Sequence, residues 1–132
     1  MEGTAQVVRS VLPAMKRGGW GRIVLISSGA AEDGQPGLEA YATAKAALHG
    51  LNRSLALGLG RAGIPGNVVM PGFVETERNR QWVPRFAFEQ RASATPTGRL
   101  DTTEDIASAV TFLASNANRS ITGEAVRVTG GL

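Results

Sequence analysis

One short stretch limits what this chain can fold into. Ile23-Val24-Leu25-Ile26 is apolar at every position, where a strand with one solvated face would alternate. Both faces of this strand are therefore expected to be covered, as in a parallel sheet lying between helices. The strand, read as Arg22–Ser27, delivers the hydroxyls of Ser27 and Ser28 to its C-terminal end. Three glycines and a proline then mark residues 29–37 as a loop. An alanine-rich helix follows, 38–60, from Leu38 to about Leu59, with Tyr41 and Lys45 four residues apart on one face.

The flanking segments fit the same architecture. Val7, Val8, Val11, Leu12 and Met15 recur at helical spacing and predict a helix over 4–17, kinked or distorted by Pro13. Gly18-Gly19 ends it. In the long helix Leu48, Leu51 and Leu55 form one apolar stripe, while Ala40, Ala42, Ala44, Ala46, Ala47 and Gly50 form a surface of small residues. After a turn at Gly63 to Gly66, Asn67 to Met70 reads as a second buried strand, broken by Pro71-Gly72. Residues 73–100 lack a clear period and place Trp82, Phe86 and Phe88 among polar residues, the pattern of a lid. Thr102-Thr-Glu-Asp105 is a capping box that opens a helix to about Ser115, its buried face formed by Ile106, Ala109, Val110, Phe112 and Leu113. Ala125 to Val128 is a last strand before Gly130-Gly131. Strands alternating with helices imply an α/β fold with a parallel sheet of about three strands.

Composition removes several functions. There are no cysteines among the 132 residues, which excludes disulfides, thiolate metal sites and a cysteine nucleophile. The single histidine, His49, makes no metal site without partners, so none is assigned. No apolar run is long enough for a membrane span, and the N-terminus lacks a signal-peptide pattern, so the cytoplasm is the expected location. The net charge of +3 rests on scattered cations, 12 of the 14 being Arg, without interleaved aromatics, so no nucleic-acid partner is expected.

What remains is chemistry for moving a proton. A phenol titrates near ~10, and a neighbouring cation favours its phenolate. Lys45, one turn beyond Tyr41, is such a cation. A strand-end serine can hydrogen-bond a developing oxyanion. These parts suit interconversion of a carbonyl and an alcohol, with the hydride carried by a separate cofactor.

The motifs resemble those of the short-chain dehydrogenase/reductase family, most closely members similar to 3-oxoacyl-(acyl carrier protein) reductase. They are Gly21-Arg-Ile-Val-Leu-Ile-Ser-Ser28, Tyr41-Ala-Thr-Ala-Lys45 after a 13-residue gap from Ser28, and Asn67-Val-Val-Met-Pro-Gly-Phe-Val-Glu-Thr76. Glu104-Asp-Ile-Ala107, Phe112-Leu-Ala-Ser115 and Ile121-Thr-Gly123 follow in family order. The resemblance implies an NAD(P)-dependent oxidoreductase on a Rossmann-like, doubly wound sheet. It implies Tyr41 as general acid/base, Lys45 as its partner and ribose ligand, and Ser28 rather than Ser27 at the substrate carbonyl. Pro71, Gly72, Val74 and Thr76 would line the nicotinamide side, 73–100 would be the substrate lid, and helices 4–17 and 38–60 would join copies into a homo-oligomer.

Two departures are local: Ile64-Pro65-Gly66 should shorten the second strand, and Thr129 stands where Asp is frequent. A larger one concerns the family's Thr-Gly-x-x-x-Gly-x-Gly fingerprint and its Asn-Ala-Gly strand end, which the sequence does not contain. The 132 residues thus read as one partial domain, the C-terminal half of the fold, with the family's catalytic Asn falling before Met1. The expected consequences are a bare edge on the first strand, poor stability or self-association, and inactivity in isolation. The alternative reading is a non-catalytic remnant or oligomerisation module that binds neither NAD nor NADP.

Overall fold

The computed structural model describes residues 2–132. Its element order is α1 (Glu2–Gly18), β1 (Ile23–Ile26), α2 (Ala30–Asp33), α3 (Glu39–Leu59), a 3-10 turn (Gly60–Ala62), β2 (Gly66–Pro71), α4 (Glu77–Trp82), α5 (Arg85–Ala94), α6 (Thr103–Ala114) and β3 (Ala125–Val128). The three strands form one parallel sheet in the order β1-β2-β3. Ile23 lies opposite Gly66, and Val68 opposite Ala125. No helix among the described residues is long and apolar enough to cross a membrane.

Alternation along the strands sorts the core. Ile23 and Leu25 of β1 and Val68 and Met70 of β2 point to one face, where they meet Val8 of α1 and Leu48 and Leu59 of α3. Leu12, Met15, Leu51 and Leu55 close the edges of this cluster. Val69 is fully buried on the opposite face of β2, and α6, with buried Leu113, contacts all three strands. The central strand β2 is therefore covered from both sides, while Ile26 of β1 and Ala125 and Arg127 of β3 are exposed.

Several expectations need correction. Helix α1 is longer than the expected 4–17, starting at Glu2 and continuing past Pro13 to Gly18. Pro13 and Arg9 are both on the exposed side, so the carbonyl that Pro13 cannot bond is left to water rather than to the core. Strand β2 is not shortened: at six residues it is the longest in the sheet. Gly66 allows this, because a Cβ there would sit 3.1 Å from Asn52 Oδ1 on α3. Asn67 then clamps the strand to the approach of β3, donating to the Ile121 carbonyl and accepting from the Glu124 N–H. Residues 29–37 contain one helical turn, α2, whose first N–H, that of Ala30, is received by Ser28 Oγ. On α6 only Leu113 of the expected apolar face is fully buried, and Phe112 is exposed.

The stretch 73–100 is also more regular than its sequence suggests. It holds α4, capped by the Thr76 side chain, and α5. Phe73 packs edge-on against Phe88 at 5.4 Å, and the Arg91 guanidinium lies over Phe73 at 4.6 Å. The far end of the segment is tied to the chain after β3 by a bond from the Thr97 N–H to the Gly130 carbonyl. Gly130 has a φ of 64°, and a Cβ there would lie 2.5 Å from Thr95 Cγ2.

Helix α3 is fastened to the end of β1 by a polar joint. Ser27, only 3% exposed, donates its hydroxyl to the Lys45 carbonyl at 3.0 Å. Its oxygen lies 2.9 Å from His49 Nε2. Since the hydroxyl proton is spent on Lys45, the ring must donate, which fixes the Nε2–H tautomer.

Two outcomes follow from these contacts. His49→Leu should lower stability by about 1 kcal/mol in urea denaturation, while His49→Gln, which keeps a donor, should recover most of it. Equal losses would mean that the bond to Ser27 contributes nothing. At the capping box, Arg99 grips the Asp105 carboxylate through two nitrogens at 2.6 and 3.0 Å, and the Thr102 N–H adds a third bond. Arg99 first, then Thr102, hold Asp105 well below the usual carboxylate range. A depressed folded value stabilises the protein above the unfolded value of about 4 and loses that contribution as pH falls below it. Asp105→Asn should therefore melt lower than the parent at pH 7, and the gap should narrow by about pH 3. A gap of constant size across that range would contradict this.

Candidate active site

The sequence-selected residues gather at the C-terminal end of the sheet. Ser28 follows β1 directly. Tyr41 and Lys45 lie in the first two turns of α3, and Pro71, Gly72, Val74 and Thr76 carry the chain from β2 into α4. Lys45 Nζ lies 5.7 Å from the centre of the Tyr41 ring. The same ammonium donates to the Ile26 carbonyl at 2.9 Å. In this parallel pair the Ser27 N–H points to Val69 of β2, so alternation turns the Ile26 carbonyl to the open edge of β1. Lys45 thus grips β1 twice, through its main-chain carbonyl and through its side chain.

Tyr41 is 44% exposed and faces an open cleft of about 530 Å³ shared with Leu38, Arg78, Asn79 and Trp82. The Ser28 hydroxyl accepts from Ala30, and no hydrogen bond joins it to Tyr41 among the described residues. The turn after β2 is held by its neighbours: Pro71 accepts from the Gly29 N–H, Gly72 donates to Val128, and Val74 forms a bridge with Asp101. Thr76 Oγ1 accepts from the Asn79 N–H, and the Asn79 side chain reaches back to the Val74 carbonyl. A larger cavity, about 660 Å³, opens among Arg80, Val83, Phe88, Gly98 and Leu100, but Tyr41 is not among its walls.

Five residues take parts that sequence reasoning does not assign to them. Ser27 was set aside in favour of Ser28, yet it is the buried hydroxyl that seats the Lys45 backbone. His49 sits behind it, with Nδ1 3.8 Å from Glu32. Glu32 and Asp33 are ordinary loop charges on sequence, but both pair with Arg127 of β3, at 2.9 and 2.6 Å. The contact spans more than ninety residues, and no local signal announces it. Arg127 thereby ties α2, and with it the loop before Tyr41, to the far strand.

Comparison with known proteins agrees with this geometry. The family model described as enoyl-(acyl carrier protein) reductase matches residues 1–132. The chain is 40% identical over 124 residues to the 3-oxoacyl-[acyl-carrier-protein] reductase FabG of Pseudomonas aeruginosa, covering 94% of this chain and 50% of that protein. It is 40% identical over 133 residues to the (3R)-3-hydroxyacyl-CoA dehydrogenase of Canis lupus familiaris, covering 100% and 51%. The crystal structure of a 3-oxoacyl (acyl-carrier-protein) reductase from Agrobacterium tumefaciens with NADP bound superposes with a TM-score of 0.91 at 34% identity, covering 100% of this chain and 52% of the other. The chain spans about half the length of the curated relatives it matches. With its parallel Rossmann-type sheet and motifs in matching order, it belongs to the short-chain dehydrogenase/reductase family.

Proposed function

We propose that this chain supplies the acid/base half of an NAD(P)-dependent oxidoreductase that interconverts a carbonyl and a secondary alcohol. The observation that carries the reading is the Tyr41–Lys45 pair at the mouth of the cleft, seated on β1 through Ser27. Tyr41 gives its phenolic proton to the substrate oxygen in reduction and takes it back in oxidation. Lys45 keeps a positive charge beside the phenol, and Ser28 offers its hydroxyl proton to the substrate oxygen. NAD or NADP, when bound, supplies or accepts the hydride.

The residues fit the nicotinamide-ribose end of such a cofactor. An ammonium has three donors, and Lys45 spends one on Ile26, leaving two for a ribose diol. Thr76 accepts from Asn79 and still has its own proton to give. The Val74 N–H has no backbone partner among the described residues. Pro71 and Gly72 would complete that wall. The sequence offers no glycine-rich turn for the pyrophosphate, so the chain by itself should bind cofactor weakly and turn over slowly.

The segment 73–100 is the proposed substrate lid. The relatives named for 3-oxoacyl-[acyl-carrier-protein] and (3R)-3-hydroxyacyl-CoA favour a carbonyl or alcohol substrate of that kind. Helices α1 and α3 are the proposed contact between copies, and exposed Val7, Val11 and Leu57 lie on them.

Nicotinamide fluorescence during titration of the folded chain with NADPH and NADH tests the reading. Binding should weaken by about tenfold in Lys45→Met. Tyr41→Phe should leave binding in place while lowering reduction of a 3-oxo ester by about 10²–10⁴. No binding at millimolar cofactor, or unchanged turnover in Tyr41→Phe, would overturn it.

A further inference from the structure

The cleft beside Tyr41 has a chemical character of its own. The segment from Phe73 to Leu100 carries five arginines, at 78, 80, 85, 91 and 99. Four have partners: Arg80 pairs with Glu75, Arg85 with Glu89 and Arg99 with Asp105, while Arg91 lies over Phe73. Arg78 has neither an ion pair, a hydrogen bond nor an aromatic ring among the described residues, and it is the one that lines the Tyr41 cleft. The other cleft walls include Leu38 and Trp82, which are 39% and 81% exposed, large apolar surfaces left in water. Asn79, the remaining wall, spends its amide on the Val74 carbonyl. No carboxylate lines this cleft, whereas the larger cavity behind α5 holds two glutamates among its arginines.

We propose that the substrate bears an oxyanion group, a carboxylate or phosphate, received by Arg78, and an apolar body that packs on Trp82 and Leu38. This deepens the proposed carbonyl chemistry and rests on it only in placing the substrate beside Tyr41. A planar guanidinium presents paired N–H donors that match either group bidentately. An unpaired arginine next to exposed apolar surface is complementary to an amphipathic anion and to neither a neutral nor a cationic ligand.

The test needs neither cofactor nor turnover, so its outcome is separate from that of the Tyr41 and Lys45 variants. The chain has two tryptophans, and Trp20→Phe leaves Trp82 as the only indole. In that background, emission is followed during titration with 3-hydroxyoctanoate, its methyl ester and octyl phosphate. At least one anion should bind about tenfold more tightly than the ester. Whichever of carboxylate and phosphate binds better identifies the source of the charge. Arg78→Gln should erase the preference while leaving ester binding unchanged, and Arg80→Gln, which removes a paired arginine, should preserve it. The proposal is overturned if acid, phosphate and ester bind alike, if Arg78→Gln keeps the preference, or if no probe reaches Trp82 at millimolar concentration.

Discussion

The site depends on one joint, the seating of α3 on the end of β1. A tyrosine and a lysine at helical spacing define only their relation to each other. Their relation to a strand end must come from elsewhere, and it comes from Ser27. Its buried hydroxyl bonds the Lys45 carbonyl, which fixes the height of the helix, and His49 fills the remaining lone pair. The Lys45 ammonium then reaches the Ile26 carbonyl one residue earlier on the same strand. Two bonds from one residue to consecutive positions restrain both the position of the helix and its rotation. Packing of Leu48 and Leu59 against Val68 and Met70 supplies the larger energy, but apolar contacts alone tolerate small slips along the helix axis. Directional bonds do not.

The bond from Lys45 to Ile26 also says something about β1. This strand pairs on one side only, and alternate N–H and C=O groups point to its open edge. Lys45 covers one of those carbonyls. The ammonium therefore serves two demands, satisfying an edge acceptor and standing beside a phenol, and its three donors allow both at once. Val24 on the same edge has no such side-chain partner among the described residues, and half-exposed Ile26 lies beside it. The strand on which the site is built is thus one of the two edges of the sheet.

How much of this was legible in the sequence varied with the range of the interaction. Strands β1 and β3 and helix α3 were readable because their signals are local: an unbroken apolar run in β1, valines before a Gly-Gly pair in β3, helical spacing, and for α6 a capping box within four residues. Helices α4 and α5 were not, since α4 is a single short helix and α5 buries no residue completely. Their order comes from Thr76, Phe73 and Arg91, through contacts that follow no period. Strand β2 outran its expected length because glycine and asparagine, poor strand formers in isolation, are recruited here for close approach to α3 and for clamping β3. Tyr41, Lys45 and Ser28 stood out by spacing. Ser27, Glu32 and Arg127 did not, because their parts are set by partners far away in sequence.

The same distinction separates the two halves of the cleft. Tyr41 stands on a helix fastened by buried bonds to a packed sheet, so the proposed proton donor is held by structure shared with the fold. Arg78 and Trp82 stand on α4, which buries no residue completely and is anchored mainly by its Thr76 cap and by Asn79. Changes on α4 therefore disturb little of the core, whereas changes around Ser27 disturb the seat of the helix that carries Tyr41 and Lys45. Selectivity carried by a lightly held element can vary without loss of the proposed proton-transfer pair, and it is on that element that Arg78, the one arginine of 73–100 without a partner among the described residues, is found.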